Sequence, residues 1–345
     1  MSKKKYSRQY LIALVVLLGI VFFVVFAVNS AVDPLWYFSG NRITKRNYAF
    51  DERLAKMNHF VNEAKAYDCY VFGSSRATLL NASKIAGYNC YNFAFSGGRV
   101  EEIVAYARYL RNRYDQPRLV IIGVDDFNFF ARSNTSSLPV FIHQNTSPPG
   151  WLKNYLTYDA LKFSIRTLTG DSPLPRYYRA DFSAAIKSDA GPYKPEINDI
   201  EEERKKDIEF NDESVGQYGR LRDLFPDSRL VFYVPPVSVW RITRHYEQGQ
   251  LDFYLDALHE ISRLGSGFYD FSVPSVITRD AGNTYDGSHY SLKVNEMIVQ
   301  SINSGNPSFG IRVDGMDKEN YVRTFYAALR ASMIVSPGNN PQENN

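Results

Sequence analysis

Two short segments far apart in the chain carry the residue types of a nucleophile and its base. Ser75 lies in GSSR at 73–76, and Asp286 and His289 belong to DGSH at 286–289. A serine hydroxyl attacks a carbonyl when a histidine takes its proton, and a nearby carboxylate orients that histidine. The segments therefore predict acyl transfer through a serine. The alternatives are structural, namely a serine that caps a helix and an Asp-Gly surface turn.

Two further segments supply groups that could serve the same reaction. Gly97 lies in SGG at 96–98, and its N–H can donate to an oxyanion because glycine permits close backbone approach. Asp125 lies in GVDD at 123–126, where paired acids suit an active site, a metal site or a loop cap.

GSSR, SGG and GVDD each follow a short apolar run, and these runs alternate with helical patterns. The runs cover 69–73, 91–95, 118–123, 229–234 and 267–271, and the helical patterns cover 51–66, 99–114, 199–225, 251–264, 292–303 and 318–334. A helix is also expected from Thr78 onward. This alternation predicts an α/β fold with a five-stranded parallel sheet covered on both faces. Because parallel strands end at one edge, Ser75, Gly97, Asp125 and His289 are expected to meet there.

The third and fourth strands are separated by an insertion at about 127–228, which is too long for a simple crossover. It is expected to carry its own helices, one at 158–168, and to form a substrate wall or lid. Aromatic residues make up 15% of the chain, and Trp151 and Tyr155 lie in this insertion. They are candidates for stacking on a sugar ring, with core packing as the alternative.

The N-terminus predicts a membrane anchor. Residues 11–28 are uncharged, and four basic residues precede them at positions 3, 4, 5 and 8. Basic residues stay on the cytoplasmic side, so residues 1–10 are predicted to be cytoplasmic and everything after the helix extracytoplasmic. A cleaved signal peptide is the alternative. The predicted segments that follow are a juxtamembrane helix region at 29–66, the main domain at 67–310, a helix at 311–336 and a disordered tail at 337–345.

Composition and motifs argue against several other functional classes of protein. The 345 residues include 40 Lys and Arg against 37 Asp and Glu, and 40 − 37 = +3 is too small a surplus for a dedicated nucleic-acid binder. The remaining histidines form no metal-binding spacing, and no dinucleotide or phosphate-loop motif occurs. No cofactor or metal is therefore implied.

Only two cysteines occur, Cys69 and Cys90, and each begins one of the first two predicted strands. If these strands are neighbours, the two sulfur atoms start at the same edge of the sheet. An even pair in an exported protein predicts a disulfide, with two buried free thiols as the alternative.

Taken together, GSSR at 73–76, NFAFSGG at 92–98, GVDD at 123–126 and DGSH at 286–289 resemble the four sequence blocks of the SGNH or GDSL hydrolase superfamily. The resemblance covers about residues 68–305, with the insertion unmatched. It implies a flavodoxin-like, three-layer sandwich with strand order 2-1-3-4-5.

The resemblance also assigns roles to residues. It implies Ser75 as nucleophile, Asp286 and His289 as the rest of a triad, and an oxyanion hole from Ser75, Gly97 and the position of Asp125. Two residues depart from the family pattern. Ser74 stands where an aspartate is usual, and Asp125 stands where an asparagine amide usually donates to the oxyanion. An ionised Asp125 would accept instead of donating and would repel the oxyanion.

Membrane-anchored relatives resembled by this chain act on bacterial envelope polymers and include the D-alanine transfer protein of teichoic acid and alginate acetylation proteins. The resemblance therefore implies an O-acyltransferase or esterase for an envelope polysaccharide, with an acetyl group and a membrane-bound O-acyltransferase as partner. Arg76 could bind an anionic substrate or form a structural salt bridge. The alternative function is a non-catalytic scaffold with the same fold, which Asp125 favours and the complete Ser-His-Asp set opposes.

Overall fold

A computed structural model describes residues 2–63, 66–130, 148–172, 174–187, 193–195, 210–211 and 213–334. The chain forms two compact units. The anchor unit comprises Met1–Ala64 and Val140–Lys187, and the sheet unit comprises Lys65–Pro139 and Ser188–Asn345. The predicted insertion is thus divided between the two units. The predicted tail at 337–345 lies outside the described residues.

The described strands and helices are numbered in chain order. The strands are β1 (Arg46–Tyr48), β2 (Cys69–Phe72), β3 (Cys90–Asn92), β4 (Leu119–Gly123), β5 (Arg176–Arg179), β6 (Ala184–Ile186), β7 (Arg229–Val234), β8 (Gly267–Asp270) and β9 (Ile311–Arg312). The helices are α1 (Ser2–Val32), α2 (Glu52–Asn62), α3 (Val100–Arg111), α4 (Phe127–Phe130), α5 (Pro148–Tyr155), α6 (Tyr158–Thr169), α7 (Glu213–Leu224), α8 (Val239–Glu247), α9 (Leu251–Ser262), α10 (Val276–Arg279), α11 (Leu292–Ser304) and α12 (Lys318–Ile334).

The sheet unit is built on a six-stranded sheet in the order β3-β2-β4-β7-β8-β9. The first five of these strands are mutually parallel, and β9 runs antiparallel to β8. The mixed α/β class is therefore confirmed. The prediction of five parallel strands did not include β9, the sixth strand of the sheet. A strand of two residues is too short to show an alternating pattern. The predicted helix at 311–336 accordingly begins only at Lys318, after β9.

The core of the sheet unit lies on both faces of this sheet. Val71, Ile121 and Val231 sit at its centre and are completely buried. Both faces are covered, which is why the strands read as continuous apolar runs instead of alternating ones. On one face α3 contributes the buried side chains of Ile103 and Leu110, as its helical spacing predicts.

The segment after Ser75 differs from the prediction. Instead of a helix from Thr78 onward, two short 3₁₀ turns cover Ala77–Leu79 and Ala82–Lys84. The side-chain amide of Asn92, at the end of β3, donates to the carbonyls of Ala77 and Leu80 at 2.9 and 3.0 Å. These hydrogen bonds take up the carbonyls that a continuing helix would use. A helix dipole therefore contributes nothing at Ser75.

The anchor unit contains α1, which is longer than the predicted span of 11–28. Its segment Arg8–Val32 has 25 residues and is long and apolar enough to cross a membrane. At roughly 1.5 Å per residue this segment measures about 37 Å, against a hydrocarbon core of about 30 Å. The anchor unit also contains α2, where Asp51 accepts a hydrogen bond from the N–H of Leu54 at 3.0 Å, as expected of an N-cap. Its antiparallel sheet has the order β1-β5-β6.

Cys69 and Cys90 form a disulfide, which confirms the predicted pairing. They are register partners on the neighbouring strands β2 and β3, with their Cα atoms 4.2 Å apart. The bond therefore links the edge strand of the sheet to its neighbour.

Reduction of this disulfide is expected to lower the free energy of unfolding by about 3 kcal/mol, because the bond closes a loop of moderate length in the unfolded chain. The cysteines are 21 positions apart. Urea unfolding of the full-length protein in detergent, with and without dithiothreitol, measures the difference. A Cys69→Ala, Cys90→Ala variant is the control and should not respond to reductant. Thiol labelling of both cysteines in the native, non-reduced protein would contradict the bond.

Candidate active site

The turn after β2 places Ser75 at the carboxyl end of the sheet. Gly73 begins this turn, and a Cβ atom there would lie 2.6 Å from the Cβ of Ala77, so no larger residue fits. The carbonyl of Ser75 accepts a hydrogen bond from the Thr78 hydroxyl at 2.6 Å. These contacts fix the backbone of Ser75 while leaving its hydroxyl for other partners.

Ser75, His289 and Asp286 form one hydrogen-bonded chain. The Oγ atom of Ser75 lies 2.7 Å from Nε2 of His289, and Nδ1 of His289 lies 2.6 Å from Oδ2 of Asp286. With the proton on Nδ1, the ring donates to Asp286 and accepts from the serine hydroxyl. The ring of Tyr285 stacks parallel to the imidazole, with centroids 5.3 Å apart. The structure thus brings together the three residues that the sequence predicts as a triad.

The turn that carries His289 is stabilised by hydrogen bonds between its own side chains and its backbone. Oδ1 of Asp286 accepts hydrogen bonds from the N–H groups of Ser288 and His289 at 2.9 and 2.7 Å. The hydroxyl of Thr284 accepts from the N–H of Gly287 at 3.0 Å and donates to the carbonyl of His289 at 2.8 Å. Asp286 therefore orients both the imidazole ring and the backbone that carries it.

Two aromatic residues beside this turn were missed by the sequence reasoning. Gly287 has a φ of +77°, and a Cβ atom there would lie 2.7 Å from the ring of Tyr193. Tyr193 in turn packs edge-on against Trp240, with centroids 5.9 Å apart. Ser238, at the start of α8, donates its N–H to the Gly287 carbonyl at 2.8 Å. No motif marks these positions, because only the folded chain brings them to Gly287.

The environment of Asp286 favours its ionised form. Burial alone raises the pKa of this carboxyl, but the hydrogen bond and positive charge of His289, together with two backbone N–H groups, outweigh it. The pKa therefore lies below the usual 3.8. A carboxylate that stays ionised can stabilise the imidazolium that forms when His289 accepts a proton.

This pKa predicts a pH dependence of stability. A depressed folded-state pKa contributes stability that is present above the unfolded value of 3.8 and is lost as the pH falls through the folded value. Asp286→Asn should therefore unfold at a lower temperature than the wild type at pH 5, and the difference should shrink below pH 3.8. Thermal unfolding of the full-length protein measures it. The exposed control Asp223→Asn should give no such difference. A difference in unfolding temperature between the wild type and Asp286→Asn that grows as the pH falls would refute the prediction.

Arg76 is buried and joins the turn at 286–289 to the acid pair after β4. Its Nε donates to the Ser288 hydroxyl at 2.7 Å, and its Nη1 donates to Oδ1 of Asp126 at 2.7 Å. The same Nη1 lies 3.4 Å from Oδ1 of Asp125. Only 5% of the Arg76 side chain is exposed. Of the two roles considered for Arg76, this geometry fits the structural salt bridge and offers little access to an anionic substrate.

The two acids of this pair have different environments. For Asp126, burial alone raises the pKa, but the charge of Arg76 and a contact with His245 at 3.2 Å hold it well below its usual value. His245 also contacts Oε1 of Gln250 through Nδ1, at 2.9 Å. Asp126 additionally accepts from the N–H of Phe127 at 2.9 Å, which places its side chain at the N-terminus of α4.

Asp125 is fully buried, and within the described residues neither of its carboxylate oxygens makes a hydrogen bond of good geometry. Burial raises the pKa of the Asp125 carboxyl, while Arg76 and Ser74 act in the opposite direction. The net result is a pKa above the usual value for Asp125, although Arg76 lies 3.4 Å away, and its carboxyl lacks the N–H donors of an amide.

Ser75 and Gly97 are the other two positions predicted to donate backbone N–H groups to an oxyanion. Gly97 has a φ of +61°, a conformation that disfavours side chains, and a Cβ on Gly98 would lie 2.9 Å from the carbonyl of Gly73. The loop after β3 therefore lies directly against the turn that carries Ser75. Within the described part of the chain, the N–H groups of Ser75 and Gly97 donate to no protein acceptor. Both are available to an oxyanion.

Trp151 and Tyr155, the predicted sugar-binding residues, belong to the anchor unit and not to the unit that holds the triad. Tyr155 is completely buried, and its hydroxyl donates to Asp33. Trp151 packs against Phe26 and Phe38, with centroids 5.5 and 5.7 Å apart. The ring of Tyr155 is therefore core, the alternative that the sequence left open.

The arrangement combines an oriented base, a serine in contact with it and two backbone donors. Such a set can remove the serine proton, form an acyl-enzyme and stabilise the charge on a tetrahedral intermediate. No model of a known protein family matches this chain, and no curated protein matches it either.

Proposed function

We propose that this protein is a membrane-anchored serine O-acyltransferase or esterase of the SGNH type, acting on a cell-envelope polysaccharide. The observation that carries the proposal is the chain of hydrogen bonds from Ser75 through His289 to Asp286, at 2.7 and 2.6 Å. A protein that only binds has no need of this alignment. A serine acyltransferase needs all of it.

The proposed reaction has two halves. Ser75 Oγ bonds to the carbonyl carbon of the acyl donor while its proton moves to Nε2 of His289, and Asp286 stabilises the resulting imidazolium. The N–H groups of Ser75 and Gly97 hold the oxyanion, and the donor alcohol leaves with the proton from His289. A sugar hydroxyl or water then attacks acyl-Ser75 while its proton moves to His289, and His289 passes that proton to Ser75 Oγ as the serine is released. A sugar acceptor makes the protein a transferase, and water makes it an esterase.

The proposed fold is the flavodoxin-like, three-layer sandwich with strand order 2-1-3-4-5. The pairing of the parallel strands β3, β2, β4, β7 and β8 supports it, with β9 as an addition at the edge. Ser75, Gly97 and Asp125 follow three neighbouring strands of this sheet, where ligands of open parallel sheets bind.

The sheet unit is proposed to lie outside the cytoplasm. The basic residues before the apolar part of α1 support a cytoplasmic N-terminus. The Cys69–Cys90 disulfide supports an oxidising compartment. The envelope polysaccharide, the acetyl group and a membrane-bound O-acyltransferase as partner rest on the sequence resemblance.

One observation favours a second function, a non-catalytic scaffold for polysaccharide modification. Asp125 occupies the position from which an amide would donate, and its carboxyl is buried beside Arg76 at 3.4 Å. The absence of one oxyanion donor typically costs about 10² to 10³ in rate, which slows acyl transfer without abolishing it. The complete triad therefore weighs more than the missing donor.

An acyl-enzyme test separates the two functions. The full-length protein in detergent is mixed with a small activated acetyl ester and quenched in acid within seconds. The proposal expects acetyl on the peptide that contains Ser75, detected by mass spectrometry, and none in His289→Ala. Acetyl spread over surface lysines in both proteins, without enrichment at Ser75, would contradict the enzyme and support the scaffold.

A further inference from the structure

Within the anchor unit, the other elements pack against only the last part of α1. Side chains of α1 are exposed at positions 8–24, and burial begins around Val25 and Phe26. Phe26 contacts the ring of Trp151 on α5. Asn29 donates to the Tyr155 carbonyl at 2.8 Å and accepts from the hydroxyl of Ser164, on α6, at 2.7 Å. Helices α5 and α6 are therefore fixed against the last two turns of the apolar helix.

The length of α1 determines the depth of that contact in a membrane. A hydrocarbon core of about 30 Å takes roughly 20 residues at about 1.5 Å each, which from Leu11 reaches the vicinity of Ser30. Phe26 and Asn29 then lie within or at the edge of the core, on the side of the bilayer where α1 ends. Any tilt of α1 lengthens its path through the core and places these residues deeper.

Helix α6 has three distinct faces. Ala160, Ser164 and Thr167 are buried, and Ser164 contacts α1. At about 100° per residue, Tyr158, Ile165 and Leu168 fall within about 80° of one another, beside that buried face. Their side chains are 78%, 52% and 41% exposed. The remaining face carries charged residues at positions 159, 162 and 166.

Helix α5 and the loop after α1 extend this apolar surface. Leu152 is 45% exposed, and Phe38, which packs against Trp151, is 42% exposed. We call this set the apolar collar, and it consists of Phe38, Trp151, Leu152, Tyr158, Ile165 and Leu168.

We infer that the apolar collar docks into the lipid surface of the bilayer that α1 crosses. Helices α5 and α6 are attached to α1 at the depth where the hydrocarbon core gives way to headgroups, so the collar is continuous with the membrane-spanning helix. Tryptophan and tyrosine favour that zone, and an amphipathic helix buries its apolar face about 5 to 10 Å into it. Lys153 and Lys162 are exposed on the same two helices, which suits anionic headgroups.

This inference concerns the anchor unit alone and does not depend on the proposed enzymatic function. A single transmembrane helix by itself leaves the attached unit free to move away from the membrane surface. Docking of the collar gives the anchor unit a second attachment and a defined orientation to the bilayer. It also assigns Trp151 to lipid contact instead of sugar binding.

Fluorophore labelling tests the inference. Single cysteines at Ile165 or Leu168, and at Asp159 on the charged face as the matched control, are labelled with an environment-sensitive NBD dye in the full-length protein. Cys69 and Cys90 do not react because they are disulfide-bonded. The labelled proteins are placed in nanodiscs of phosphatidylcholine and phosphatidylglycerol, with or without a nitroxide on the acyl chains. Ester hydrolysis plays no part in the readout.

We expect nitroxide lipids to quench the dye at Ile165→Cys and Leu168→Cys severalfold more than at Asp159→Cys, and iodide to show the reverse order. Two results would overturn the inference. Equal access of iodide to all three sites would mean that water covers the collar. Protection from iodide without nitroxide quenching would mean that protein, such as a second copy of this chain, covers it.

Discussion

Alanine at Ser75 or His289 is expected to lower the rate of ester hydrolysis by about 10⁴-fold to 10⁶-fold. Ser75→Ala removes the proposed nucleophile, and His289→Ala removes the proposed base, whose Nε2 lies 2.7 Å from the serine oxygen. Because the two residues act as one unit, the double variant should be no slower than either single variant. Initial rates of the full-length protein in detergent with a small activated acetyl ester measure the effect.

The matched control is Ser83→Ala, which removes an exposed hydroxyl whose side-chain hydrogen bond, among the described residues, is to Asn81. It should retain the wild-type rate. Substantial hydrolysis by Ser75→Ala would refute the nucleophile. No hydrolysis by a folded wild type would instead favour the scaffold, or an enzyme that needs its membrane partner, and would make Asp125→Asn the next variant because it restores an amide donor.

Arg76→Met should lower the free energy of unfolding by about 3 to 5 kcal/mol, since removal of one partner leaves uncompensated charge in the interior. Arg76 is the cation bonded to Asp126 at 2.7 Å and adjacent to Asp125 at 3.4 Å, and all three side chains are almost fully buried. The variant also loses the hydrogen bond to Ser288 that connects the acid pair to the turn at 286–289. Urea unfolding of the full-length protein in detergent measures the change.

Arg118→Met provides the matched control because Arg118 pairs with Asp68 at 3.0 Å on the surface. An exposed pair of this kind is worth about 1 kcal/mol or less. Adding Asp126→Asn to Arg76→Met should recover part of the lost stability, because it removes the buried negative charge that Arg76 contacts at 2.7 Å. Equal effects of the two arginine variants would show that Arg76 does not compensate these acids.

Features with local causes were predictable. The apolar length of α1, the amphipathic spacing of α3 and the strands β2, β4 and β7 follow from the order of side chains along a short segment. The cap at Asp51 likewise depends only on a hydrogen bond to an N–H three residues away. The prediction of a helix after Ser75 was wrong for a non-local reason. Asn92 on the neighbouring strand binds the carbonyls of Ala77 and Leu80, which a continuing helix would use.

The sequence by itself determined the residue types of the site, because a serine, an aspartate and a histidine could be assigned to turns of an α/β chain. Only the tertiary structure decided which of these residues contact one another. Ser75 and His289 are separated by 214 positions and Arg76 and Ser288 by 212, so their contacts exist only once the sheet has assembled. The same holds for Tyr193 beside Gly287 and for Trp151 beside Phe26. Periodicity reports which face of an element is buried, but the partner on that face depends on the packing of elements that the chain brings together from distant positions.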